Sequence, residues 1–153
     1  MTSKGIDMNA VYEGGCLCGA VRYRFSGQPT VVQVCHCRYC QRRLGSSYAE
    51  LAYFQPECLE SLTGDLAEYE HRSDESGRWL RNRFCRECGT TVLIALEVHP
   101  RIGVHLGTLD NPELLAPVRH IFTRSKRSWV QIPDGMMTFA KLPPLPPPLT
   151  PAG

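Results

Sequence analysis

Long apolar runs are missing from this 153-residue chain. Its apolar stretches are a few residues each, far short of the roughly 20 needed to span a bilayer as a helix. The first eight residues, Met1 to Met8, hold no apolar core of the kind that leads secretion, so no signal peptide is read there. Amphipathic helical patterning of normal length is absent as well, which argues against a helical bundle. Charge of one sign is scarce: 17 Lys and Arg against 15 Asp and Glu leave a net +2, too little to argue for nucleic acid or an anionic membrane surface. No aromatic-basic recognition pattern and no internal repeat beyond the cysteine pairs is found. What remains is ordinary globular composition, 42% hydrophobic and 21% charged. The length suits one domain that can bury a core without staples.

The pattern that is present is short and β-like. Val21, Tyr23 and Phe25 alternate with Arg22 and Arg24, a half-buried strand from Ala20 to Phe25. Further strands are expected over Val31–Val34, Tyr48–Phe54, Leu59–Leu62, Leu66–Tyr69, Arg78–Phe84, Thr91–Leu96, Ile102–Leu109 and Val118–Phe122. Turn signals separate them: Gly27-Gln28-Pro29, Gln55-Pro56-Glu57, Thr63-Gly64-Asp65 and Asp110-Asn111-Pro112. Gln41 to Leu44 is expected as a short helical turn closed by Gly45. Tyr12 to Gly19 reads as a glycine-rich turn. The expected architecture is all-β, of short antiparallel strands with few or no long helices. Residues 1–10 read as a flexible leader, 11–141 as the domain, and 142–153 as a proline-rich tail.

Eight cysteines stand out against this plain background. A cytoplasmic, reducing location is the expectation, and it favours metal or catalysis over disulfides. Seven of the eight cluster: Cys16 with Cys18, Cys35 with Cys37 and Cys40, and Cys85 with Cys88. In Cys35-His36-Cys37-Arg38-Tyr39-Cys40, an extended chain from Val31 to Cys37 would point Cys35 and Cys37 to one side. A tight turn would then bring Cys40 to them. Two compact pairs and a compact triple indicate metal. The seven divide as a closed four, Cys16, Cys18, Cys85 and Cys88, and an open three, Cys35, Cys37 and Cys40, which predicts two zinc ions. Spacing alone also permits Cys37 and Cys40 to join Cys85 and Cys88 as a zinc ribbon. The plain alternative is disulfides or buried thiols. Cys58 has no neighbour in sequence and reads as a buried apolar thiol.

Gly15-Cys16-x-Cys18-Gly19, Cys35-His36-Cys37-x-x-Cys40 and Phe84-Cys85-x-x-Cys88-Gly89-Thr90 together resemble the glutathione-dependent formaldehyde-activating enzyme (GFA / CENP-V) family. Gly107-Thr108-Leu109-Asp110 and Ser125-Lys126-x-x-Trp129 resemble it too, and the likeness covers roughly residues 11–140. The resemblance implies a zinc-stapled β-tent, with a structural zinc on Cys16, Cys18, Cys85 and Cys88 and a catalytic zinc on Cys35, Cys37 and Cys40. It also implies a carbon–sulfur lyase that condenses a small-molecule thiol, glutathione, with an aldehyde, formaldehyde, to S-hydroxymethylglutathione.

Three thiolates on zinc carry one net negative charge and leave a position that suits a fourth thiol, which coordination deprotonates. Arg38, Arg42 and Arg43 follow the cluster and can pair with glutathione's carboxylates, although a solvated basic turn is the simpler reading. His36, between two ligands, is expected to point away from them into packing or a hydrogen bond. His71, His99, His105 and His120 have no metal spacing, and Trp129 is expected in the core. A second function competes: a zinc-stabilised module binding protein or nucleic acid, with a basic face from Arg22, Arg24, Arg42, Arg43, Arg124, Lys126 and Arg127. The near-balance of charge argues against nucleic acid. Whether the second site is open or closed separates the two.

Overall fold

The structure is a computed structural model that describes residues 9–97 and 99–144. Eleven strands and one α-helix occur among them. In chain order they are β1 (Val11–Gly15), β2 (Arg22–Ser26), β3 (Val31–Cys35), α1 (Arg38–Leu44), β4 (Ala49–Phe54), β5 (Leu59–Thr63), β6 (Leu66–Arg72), β7 (Trp79–Cys85), β8 (Thr91–Leu96), β9 (Ile102–His105), β10 (Arg119–Ile121) and β11 (Met137–Thr138). The expected leader and tail lie outside the described residues except at 9–10 and 142–144.

The mainly-β expectation holds, with two open sheets. A three-stranded antiparallel sheet runs β1-β2-β5, and an eight-stranded sheet runs β11-β10-β3-β4-β9-β8-β7-β6. The glycine-rich stretch read as a turn is strand as far as Gly15, because Val11 to Gly15 pairs residue for residue with Ser26 to Arg22. Purely antiparallel pairing fails at one end: β10 runs parallel to β3 and to β11. The long connection between β3 and β10 permits a parallel neighbour, which a hairpin cannot supply. The strand expected to reach Leu109 stops at His105, where a short 3₁₀ turn over Leu106–Thr108 takes over.

Period-two alternation gives the large sheet two different faces. On β4, Ala52 and Phe54 pack with Val21, Tyr23 and Phe25 of the small sheet and with Val92, Leu93 and Val104. Phe25 stacks on Phe54 with ring centroids 4.6 Å apart. Leu51 and Tyr53 point the other way, into a second cluster with Ile94, Ile121 and the three cysteines at 35, 37 and 40. The first face thus makes the inter-sheet core, and the second carries α1 and the site. Gly103 is needed on that second face: a Cβ there would meet Ile94 Cγ2 at 2.5 Å and Tyr53 Cε1 at 2.8 Å.

Candidate functional site

Four cysteine sulfurs meet where the two sheets join. Cys16 and Cys18 follow β1, Cys85 ends β7, and Cys88 lies in the turn before β8. All four Sγ atoms lie within 4.8 Å of one another. Cys16 and Cys18 are 3.5 Å apart, and Cys18 and Cys85 3.8 Å. Tetrahedral zinc with Zn–S bonds of about 2.3 Å separates its sulfurs by about 3.8 Å. The Val21 N–H donates to Cys16 Sγ at 3.2 Å. The Cys88 sulfur sits 3.1 Å from the Thr90 hydroxyl, and that hydrogen bond, reinforced by Thr90's backbone, pushes the thiol down to about 5. These contacts stabilise thiolates, the form that binds metal.

Three more sulfurs meet 35–40 residues into the chain, by a route different from the expected strand and turn. Only Cys35 is on the strand. Cys37 is the N-cap of α1, its sulfur accepting the Cys40 N–H at 3.3 Å, and Cys40 lies in the first turn of α1. A Cys-x-x-Cys gap fits the start of a helix as well as a hairpin turn, and here capping selects the helix. All three Sγ atoms lie within 4.8 Å of one another and all three residues are buried. Hydrogen bonds from the Cys35 thiol first, then the Cys40 thiol, push Cys37 down to about 3. Cys35, the partner in that bond, is raised well above the ordinary thiol range. A bound cation would hold all three ionised. Their type and spacing fit zinc. The zinc-ribbon pairing does not occur, since Cys37 and Cys40 group with Cys35 and not with Cys85 and Cys88.

Buried polar contacts fix this second set. Gln41 Nε2 donates to the carbonyls of His36 at 2.8 Å and Ser125 at 2.9 Å, tying α1 to the end of β3 and to the 123–125 turn. His36 turns away from the sulfurs as expected; its Nε2 lies 2.8 Å from His120 Nδ1, the rings stacked. Burial, then the neighbouring His120, pushes His36 down to about 4, and burial lowers His120 as well. Gly45, in the left-handed region at φ 60, ends α1. Asp110, in the Gly107-to-Asp110 segment, pairs with Arg22, and Thr108 Oγ1 meets the Tyr23 hydroxyl at 2.8 Å. Trp129 corrects the expectation of a core residue: it is 66% exposed, at the rim of a shallow depression. Cys58 is half-buried against the inter-sheet core.

The three-cysteine set opens onto a cavity of about 970 Å³. Its floor is the second face of the large sheet: Gln33 and Cys35, Leu51 and Tyr53, Ile94, and Ile121. Arg38, Arg42 and Arg43 all line it. Arg38 and Arg42 are exposed, Arg38 donating to Gln41 Oε1. Arg43 is folded inward: Nη1 lies 3.1 Å from His105 Nε2, and the guanidinium lies 5.5 Å from the Tyr39 ring centroid. Its Nε and Nη2 are buried without an acceptor. Sequence reasoning missed His105, Tyr39 and Asn82 here. Asn82 donates to the Tyr39 hydroxyl, and Tyr39 stacks on His71 at 4.6 Å. No local pattern joins His105, Tyr39 and Asn82, because they come from three separate segments, α1, β7 and β9.

A mainly-β protein with a closed set of four cysteines and a cavity-facing set of three is the class that fold and site define. The sequence matches the family described as glutathione-dependent formaldehyde-activating enzyme over residues 11–125, and the chain belongs to that family. An uncharacterized lyase of Schizosaccharomyces pombe is 27% identical over 84 residues, 55% of this chain and 57% of that protein. The match thus spans little more than half of that relative's length. A crystal structure of a Rhodobacter sphaeroides protein is similar with a TM-score of 0.51 and 25% identity, covering 71% of this chain and 98% of that one. Among the described residues no helix is long and apolar enough to cross a membrane.

Proposed function

We propose that the protein is a zinc-dependent carbon–sulfur lyase that makes and breaks thiol–aldehyde adducts of the S-hydroxymethylglutathione kind. In this reading Cys16, Cys18, Cys85 and Cys88 hold a structural zinc, and Cys35, Cys37 and Cys40 hold a second one. Zinc bound to the three thiolates would keep an incoming thiol ionised at its fourth position. The observation that carries the reading is the three-sulfur set with no fourth protein ligand among the described residues, facing a cavity large enough for a tripeptide.

The chain's own part is positioning. The apolar floor from Leu51 to Ile121 excludes water from the side of the site next to the sheet. Arg38 and Arg42, at the α1 side, are placed to pair with a carboxylate of the thiol, and guanidinium forks suit that. Arg43, which lines the same cavity, adds positive charge that favours thiolates there. In the forward direction the sulfur lone pair forms the S–C bond, the C=O π pair moves to oxygen, and oxygen takes a proton from water. The thiol proton has already gone to solvent, so thiol plus aldehyde equals adduct. Holding both reactants side by side contributes more than activating either.

The binding-module alternative loses part of its basic face to ion pairs. Arg22 pairs with Asp110, Arg24 with Glu13 and Glu60, and Arg124 with Glu75. The test of the enzyme reading is cobalt substitution. Glutathione is expected to change the thiolate-to-metal absorption, while S-methylglutathione, which cannot ionise at sulfur, leaves it unchanged. Absence of a response to any small thiol would return the module reading.

A further inference from the structure

The far end of the cavity from α1 is cationic and unneutralised. Arg119 opens β10, opposite Gln33, and Gln33 lies two residues from Cys35 on the same face of β3. Strand geometry sets the Arg119 and Cys35 Cα atoms about 8 Å apart. Arg119 is not loose: its Nε donates to the buried Gln33 side chain at 2.8 Å, and its guanidinium lies 5.9 Å from the Phe139 ring centroid. Arg101 shares the cavity face with Gly103, two residues on, the position where a Cβ would strike Ile94 and Tyr53. His99 lies beside it, its Nε2 buried and without a partner.

Among the described residues no carboxylate pairs with Arg101 or Arg119. The acids that line the same cavity are used elsewhere or exposed: Glu75 pairs with Arg124, Glu97 accepts the Trp79 N–H at 2.9 Å, and Asp74 is at the surface. Burial lowers the pKa of Arg119, and the neighbouring Arg101 lowers it further. Half-buried guanidinia that face a cavity, one of them held in place and both without a carboxylate partner, constitute an anion site awaiting its anion.

We propose that Arg101 and Arg119 form a carboxylate subsite, so that the substrate thiol carries an anionic group on the side of its sulfur remote from α1. This rests on the reading of Cys35, Cys37 and Cys40 as the thiol-binding set. Glutathione, with a carboxylate on each side of its cysteine, then spans the cavity: one end at Arg38 and Arg42, the sulfur at the three cysteines, the other end at Arg101 and Arg119. A neutral thiol or an esterified one satisfies only the sulfur.

The test compares glutathione with glutathione diethyl ester by cobalt absorption titration, in the wild type and in Arg101→Gln/Arg119→Gln. The wild type should bind the acid at least about tenfold more tightly, the scale of one charge-assisted hydrogen bond. The double variant should lose at least about fivefold of that preference, and Arg101→Lys/Arg119→Lys, which keeps the charge, should recover part of it. Equal affinities in the wild type, or a preference untouched by the glutamine variant, overturns the proposal. Calorimetric binding of glutarate, which has no thiol, reads the subsite separately. Should neither thiol alter the spectrum, the thiol-site reading fails while glutarate still decides the subsite: binding lost in the double variant supports it, and absent or unchanged binding overturns it. Circular dichroism melts confirm that the variants fold.

Discussion

Gln41 shows how much of the site depends on a residue with no chemistry of its own. Its amide holds two carbonyls, that of His36, between two of the three cysteines, and that of Ser125. Gln41→Ala removes both donors and leaves buried acceptors, a loss of about 1–3 kcal/mol of stability, visible in a denaturant titration. It should also weaken retention of the second metal in a chelator competition, since α1 carries Cys40. Cys37→Ala should abolish the thiol-dependent spectral response of the cobalt protein, whereas Cys58→Ala, outside both sets, should leave that response intact. None of this was legible for Gln41, because a glutamine in a basic segment reads as solvated. The cysteines were legible because seven of them cluster within three short windows at metal-ligand spacing. His36 was legible too, as a residue turned away from the sulfurs, although the histidine it meets is 84 positions distant.

At the scale of elements, α1 is the part the sequence describes least well. It has seven residues, about half the length at which an isolated helix becomes even marginally stable. Its N-cap is Cys37, so the residue that caps the helix also belongs to the three-sulfur set. Loss of the second metal should therefore loosen α1 while the sheet beneath it stays protected. Amide hydrogen exchange measures this: after mild chelation, residues 38–44 should exchange faster and those of β4 and β9 should not. Equal protection before and after would mean that packing alone orders the helix. The strands β2 to β10 were read with modest errors at the ends, such as the 3₁₀ turn that replaces the last part of the strand expected to reach Leu109, whereas β1 was read as a turn and the two-residue β11 was not read at all. The parallel β10–β3 pair was not legible, because nothing local to residues 118–122 names a partner some 86 positions away.

For the whole molecule, the two cysteine sets have unequal duties. The set of four closes a contact between segments 67 residues apart, at the junction of the two sheets. Metal bound there contributes its affinity to folding, about 10–16 kcal/mol in small zinc peptides, comparable with the entire stability of a domain. Cys85→Ser should then leave the protein unfolded at ambient temperature, while Cys40→Ser, in a local set on an already formed sheet, should retain a cooperative thermal transition. Equal destabilisation would remove the division between the sets. The closed-plus-open arrangement is the centre of the account, and X-ray absorption at the zinc edge tests it most directly. One site with four sulfurs and one with three sulfurs and a lighter atom average three and a half sulfurs per zinc. On adding glutathione the average should rise to four, with loss of the lighter scatterer. An average of four before glutathione, or one that glutathione leaves unchanged, would contradict it.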